Sequence, residues 1–184
     1  MANTYKLIQT VTVGAGSSAS IEFTSIPQTY TDLILVGSLR STSTTSNTGN
    51  YDPLVYRFNG STSGYTARSL YASGTSAASG SLTTLTSANA GGTWGRISDS
   101  GVNNSFSTAS TFSSMSFYIP NYAGSNNKVF SHDFVQEQNQ TVSYVEMDSA
   151  LWSNTAAITS LALALLYGSF AQHSSVSLYG IKNT

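Results

Sequence analysis

Bulky apolar side chains return at every second position in segment after segment of this chain, and that period admits few folds. Successive side chains of an extended strand point to opposite faces, so a two-residue period marks a strand with one buried side. Tyr5, Leu7, Val11 and Val13 share one parity, with Gln9 the exception. After the turn Gly14-Ala15-Gly16-Ser17 the pattern resumes at Ala19, Ile21 and Phe23, and the two segments are expected to form a hairpin. Residues 30–39 hold the apolar run Leu33-Ile34-Leu35-Val36, which fits a central strand ended by Arg40 at the surface. Residues 51–58 and 65–71 lie on either side of the turn signal Asn59-Gly60. Further strands are expected over 112–119, stopped by Pro120, and over 129–136, 141–148 and 175–181.

The segment Leu161-Ala162-Leu163-Ala164-Leu165 alternates large with small residues. Leu and Ala also favour helix, but the neighbouring period of two makes strand the preferred reading. Residues 41–50 read as a loop, 72–92 as a long excursion with a short strand around Leu82 and Leu85, and 168–173 as a turn. Trp94 and Ile97 mark a short strand that Asp99-Ser100-Gly101 should close, and residues 150–154 read as a bend. About nine to eleven short strands follow, which predicts an all-β fold: a jelly-roll-like antiparallel β-sandwich forming a single domain over 1–184.

Charge narrows the function classes. Only 8% of residues are charged, against about 25% in ordinary globular chains, and the net charge is -1. Ser and Thr, close to a third of the chain, take over the polar surface; Thr suits strand faces and Ser suits turns. Eleven Tyr, eight Phe and two Trp supply a core that a disordered Ser-rich chain lacks. Lys6, Arg40, Arg57, Arg68, Arg96, Lys128 and Lys182 are scattered singly, so no nucleic-acid surface is expected unless folding gathers Arg40, Arg57 and Arg68. Residues 1–6 lack the basic and apolar runs of a signal peptide, and no stretch reaches the roughly 18 apolar residues of a membrane helix. Synthesis in a host cytoplasm without membrane association is the expectation.

No reaction centre emerges. His132 lies between Ser131 and Asp133, but neighbours along a strand face away from it. Two histidines and no cysteine leave little for a soft metal, and Asp32, Asp52, Asp99, Asp133 and Asp148 form no calcium loop. Glu22, Glu137 and Glu146 cannot be paired as glycosidase carboxylates from sequence. Gly14-Ala15-Gly16 lacks the third glycine and following helix of a phosphate loop. Asn59-Gly60-Ser61, Asn103-Asn104-Ser105 and Asn139-Gln140-Thr141 fit the glycosylation pattern, which means little without a secretion signal. The expectation is a non-enzymatic protein with no metal, no cofactor and no catalytic residue. Binding remains, and Tyr51, Tyr65, Tyr71, Trp94 and Tyr122, which flank loops, are the candidate contact residues.

Five segments carry a resemblance: Tyr30-Thr31-Asp32-Leu33-Ile34-Leu35-Val36-Gly37-Ser38-Leu39-Arg40, Arg57-Phe58-Asn59-Gly60, Tyr118-Ile119-Pro120-Asn121-Tyr122, Leu151-Trp152-Ser153-Asn154-Thr155-Ala156-Ala157-Ile158-Thr159-Ser160 and Ser177-Leu178-Tyr179-Gly180-Ile181. Together they resemble a β-sandwich domain of structural proteins in tailed bacteriophages, found in head decoration, cement, fibre and tail proteins. The resemblance implies a virion protein held non-covalently to the major capsid protein or another virion protein. For a protein at the capsid surface, symmetric shell sites make a homo-oligomer the expectation, with a trimer first. No heptads or stalk precede residue 5, which favours decoration over a receptor-binding fibre. The alternative is a glycan- or receptor-binding fibre or tail module; it requires an exposed aromatic row, and burial of Tyr51, Trp94 and Tyr122 would count against it.

Overall fold

The computed structural model describes residues 4–45 and 50–182, apart from the side chains of 98–100. Residues 46–49 of the expected loop lie outside the described residues. In chain order the strands are β1 (Tyr5–Thr12), β2 (Ser17–Ser18), β3 (Ser20–Phe23), β4 (Asp32–Leu39), β5 (Tyr51–Phe58), β6 (Tyr65–Ser73), β7 (Ser76–Leu82) and β8 (Thr84–Thr86). They continue as β9 (Thr93–Asn103), β10 (Ser113–Ile119), β11 (Lys128–Gln136), β12 (Tyr144–Trp152), β13 (Leu161–Leu165), β14 (Phe170–Ala171) and β15 (Ser175–Ile181).

An eight-stranded sheet runs β1-β15-β4-β10-β11-β12-β6-β7 and a five-stranded sheet runs β3-β13-β5-β9-β8, with a short β14-β2 ribbon beside them. All pairings between these strands are antiparallel, and the two larger sheets face each other in a sandwich-like arrangement. The inner parity of each strand fills the space between them. Leu33, Leu35, Phe117, Phe130, Phe134, Trp152 and Leu178 from the large sheet meet Ile21, Phe23, Leu54, Tyr56, Phe58, Leu161 and Leu163 from the small one. At its centre Tyr56, Phe58, Tyr65, Phe117, Phe130 and Trp152 pack in tilted, edge-to-face and stacked pairs with centroids 5.0–6.2 Å apart.

Several local expectations need correction. β1 and β3 do not form a hairpin: β1 pairs with β15 in the large sheet, and β3 pairs with β13 in the small one. The Gly14–Ser17 turn carries the chain from one layer to the other, where each strand finds a partner far along the chain. β1 also changes face. A register shift between Leu7 and Gln9 leaves Tyr5 and Leu7 59% and 51% exposed, while Ile8 and Val11 pack on the core and Val13 is buried. That bulge accounts for Gln9 interrupting the parity.

Among the described residues the strands number fifteen where nine to eleven were expected. β2, β8 and β14 are too short for periodicity to register, and β7 is built of small residues with little apolar alternation. β14 occupies part of the expected turn at 168–173, and β12 runs on through the expected bend to Trp152. Nor does β9 end at Asp99; its backbone continues to Asn103. The two parts of β9 pair with β5 on either side of a shift at Pro53/Val55, a place that tolerates a proline within a strand. Gly101 is required there, because a Cβ would stand 2.2 Å from the Asp52 carbonyl oxygen. The Leu161–Leu165 segment is a strand, with Leu161, Leu163 and Leu165 buried.

The five segments quoted above meet one another in space. Thr31 N–H donates to Ile181 O (2.8 Å), and Gly180 leaves room for the Tyr30 ring, which a Cβ would approach to 2.3 Å. Asp32 accepts from Tyr118 OH (2.8 Å) and Asn121 N–H (2.9 Å). Ile158 N–H donates to Tyr122 O (2.9 Å), while Asn59 Oδ1 accepts from the backbone of Thr159 (2.8 Å) and Ser160 (3.1 Å). These residues join strands to loops, so their first role is to fix the fold.

Candidate binding surface

Among the described residues nothing forms a second layer on the outer face of the large sheet, and its composition is unusual for water-facing strands. In β11 and β12 the burial alternates almost residue by residue, so one parity enters the core and the other faces outward. Register places Asp133, Met147, Leu70 and Ser79 in one cross-strand row and Val135, Val145, Ala72 and Ala77 in the next. Met147 and Leu70 are each 60% exposed, Val129 56% and Val145 48%. Across the outward parity of β11, β12, β6 and β7, Arg68 and Asp133 are the charged side chains; Thr66, Ser79, Ser81, Ser131 and Ser149 carry hydroxyls, and the other positions are apolar. A shallow apolar trough of about 220 Å³ runs between Leu70, Ala72, Ala77, Val145 and Met147. Low charge, hydroxyls and exposed apolar groups make a face that loses little by giving up water to a partner.

The other sheet carries a cleft of about 450 Å³ with a mixed polar and apolar lining on its outer face. Register sets Glu22, Ala162 and Arg57 in one row and places Leu85 beside Trp94. Arg57 lies over the Trp94 ring, its guanidinium carbon 3.9 Å from the centroid, and donates to Thr93 O (2.8 Å) and Gly91 O (3.0 Å). Trp94 Nε1 donates to Gly91 O as well (2.8 Å), which closes the 87–92 loop over the ring. The indole is thus covered by its own loop and cation and is not free to stack on a ligand.

The interior holds titratable groups. His132 points inward from β11, while Ser131 and Asp133 face outward. Its Nε2 is 2.8 Å from Asp148 Oδ2, and its ring stacks on Phe117 at 5.8 Å. Burial pushes the imidazole down to about 4, against the opposing pull of Glu146, Asp133 and the Ile97 carbonyl, so His132 is neutral at pH 7. Asp52 is fully buried and accepts from Ser41 Oγ (2.7 Å), Tyr167 N–H (2.9 Å) and Gly168 N–H (2.8 Å). Burial raises its pKa despite those bonds, and its position ties two loops together. Among the described residues no three His, Asp or Glu side chains gather as a metal array.

The five aromatic candidates do not form one exposed row. Tyr65, Trp94 and Tyr122 are buried, and Tyr51 and Tyr71 are half-buried. Tyr65 OH accepts from Phe58 N–H (3.0 Å) and donates to Ser61 O (3.2 Å); Tyr122 OH donates to Pro27 O. Tyr51 packs edge-on against Tyr144 at 5.3 Å. Arg40, Arg57 and Arg68 are not gathered either. Arg57 and Arg68 lie on opposite sheets, and Arg40 is half-buried, donating to the carbonyls of Asn104, Ser107, Thr108 and Thr111. The exposed apolar residues of β6, β11 and β12 were not singled out from sequence. Their signal is an apolar residue on the wrong parity, as in Val129-Phe130, Phe134-Val135 and Val145.

No protein-family model matches the chain, and neither does any curated protein or solved structure.

Proposed function

We propose that this protein is a structural component of a tailed-phage particle, a capsid decoration or cement protein that works by non-covalent packing and not by catalysis. The observation that supports it most is the uncovered face of the eight-stranded sheet, where Val129, Val135, Val145, Met147 and Leu70 stand exposed among hydroxyls with Arg68 and Asp133 as the nearby charges. We read the sandwich as jelly-roll-like and the partner as the major capsid protein or another virion protein, with copies of the chain associating at the capsid surface. A protein that binds only the assembled shell stabilises that shell by mass action.

The test compares native particles, particles stripped of this protein and stripped particles given it back. Stripped particles should lose their contents at lower temperature and at low salt, and re-addition should restore them; identical failure of all three would overturn the proposal. The fibre or tail-module alternative, binding a glycan or receptor, has weaker support because Trp94 and Tyr122 are buried and Arg57 covers the indole.

A further inference from the structure

The eight-stranded sheet has two edges, and they are built differently. At β1 the free edge carries an exposed Lys6 and a register shift between Leu7 and Gln9, two devices that discourage edge pairing. At the other end β7 reads Ser76-Ala77-Ala78-Ser79-Gly80-Ser81-Leu82, with no charge and no proline. It pairs with β6 without a register shift, from Ala67↔Leu82 to Ser73↔Ser76, and with no second strand among the described residues. Ser76, Ala77, Ala78 and Ser79 are exposed, so a straight row of backbone donors and acceptors is open to a partner strand.

We propose that β7 pairs antiparallel with β7 of a second copy, about a two-fold axis perpendicular to the sheet and centred near Ser79. This rests on reading the chain as one that self-associates, and it names the surface used. Identical antiparallel strands are self-complementary: Ser79 faces Ser79, Ala78 faces Gly80 and Ala77 faces Ser81. A charged edge strand would oppose its own charge in this arrangement, and β7 has none. A foreign strand is selected by pockets for its alternate side chains. A strip of Ser, Ala and Gly offers no such pockets, so backbone symmetry is the remaining basis for recognition. The perpendicular axis keeps both outer faces on one side, which sets the apolar rows at Met147 and Val145 of the two copies side by side and gives a shell two linked contacts. Two-fold pairing predicts a dimeric unit where the symmetry of shell sites led to the expectation of a trimer.

Sedimentation of the full chain over a concentration series tests this. The wild type should dimerise, Ser79→Thr should retain the dimer, and Ser79→Lys should weaken it by roughly tenfold or more, since like charges directly opposite repel. All three should melt alike when monomeric, as Ser79 is exposed. The chain has no cysteine, so Ser79→Cys reports proximity directly: mild oxidation should give a disulfide-linked dimer, and Thr12→Cys on β1 should not. A chain that stays monomeric, or a dimer indifferent to Ser79→Lys whose Ser79→Cys variant does not cross-link, would overturn the pairing. A monomer that still stabilises stripped particles would sink the pairing and leave the packing role intact; a β7-linked dimer that stabilises none would do the reverse.

Discussion

His132 is one residue at which the interior of this protein responds to pH. Its imidazole is held between the sheets against Phe117 with Asp148 Oδ2 at 2.8 Å, and burial depresses it from 6.5 to about 4. The unfolded chain therefore binds more protons here between those values. The contribution to stability is complete above pH 6.5 and is lost as pH falls toward 4, reaching about 2 kcal/mol by pH 5. Urea unfolding at pH 7 and pH 5 should show the wild type losing that much more than His132→Gln. Equal losses in the two proteins would mean that the ring is not buried neutral.

At the scale of elements, stability depends on how turns are tied to distant loops. Asn59 and Gly60 take positive φ values of 50° and 68°, and Ser61 N–H closes the turn onto Phe58 O at 2.9 Å, a tight turn of the kind an Asn-Gly pair suits, used here not as a hairpin but to carry the chain from the small sheet at β5 to the large sheet at β6. The Asn59 side chain then reaches the other sheet connection, accepting from Thr159 and Ser160 and donating to Ala157 O (2.8 Å). Asn59→Ala removes those bonds and puts at positive φ a residue that tolerates it less well than Asn, for an expected loss of about 2 kcal/mol, while Asn59→Asp keeps the acceptor and should lose less. Chemical denaturation midpoints of the two variants check it. The turn itself was legible in the sequence because its chemistry is local. Its second role was not, since nothing near residue 59 points to residues 157–160. The same limit explains β1 and β3: alternation identified both strands, but their partners β15 and β13 lie near the other end of the chain. β7 left almost no periodic trace because an edge strand of Ser, Ala and Gly buries only Leu82.

The whole molecule divides its side chains by face more than by segment. Inner parities make one continuous core, and the outward parity of the large sheet is left with apolar groups, hydroxyls and few charges. With 8% charged residues and a net charge of -1, attachment to a partner cannot draw much on long-range attraction, so it should depend weakly on ionic strength. Binding of the purified protein to stripped particles should change by less than about threefold between roughly 50 and 500 mM sodium chloride, because salt screens charges and leaves apolar burial in place. Met147→Glu should abolish that binding without altering the melting temperature, since its side chain is 60% exposed and contributes little to the core. A steep fall in affinity with salt would instead assign the contact to Arg68 and Asp133. Unchanged binding by Met147→Glu would move the contact off this face altogether.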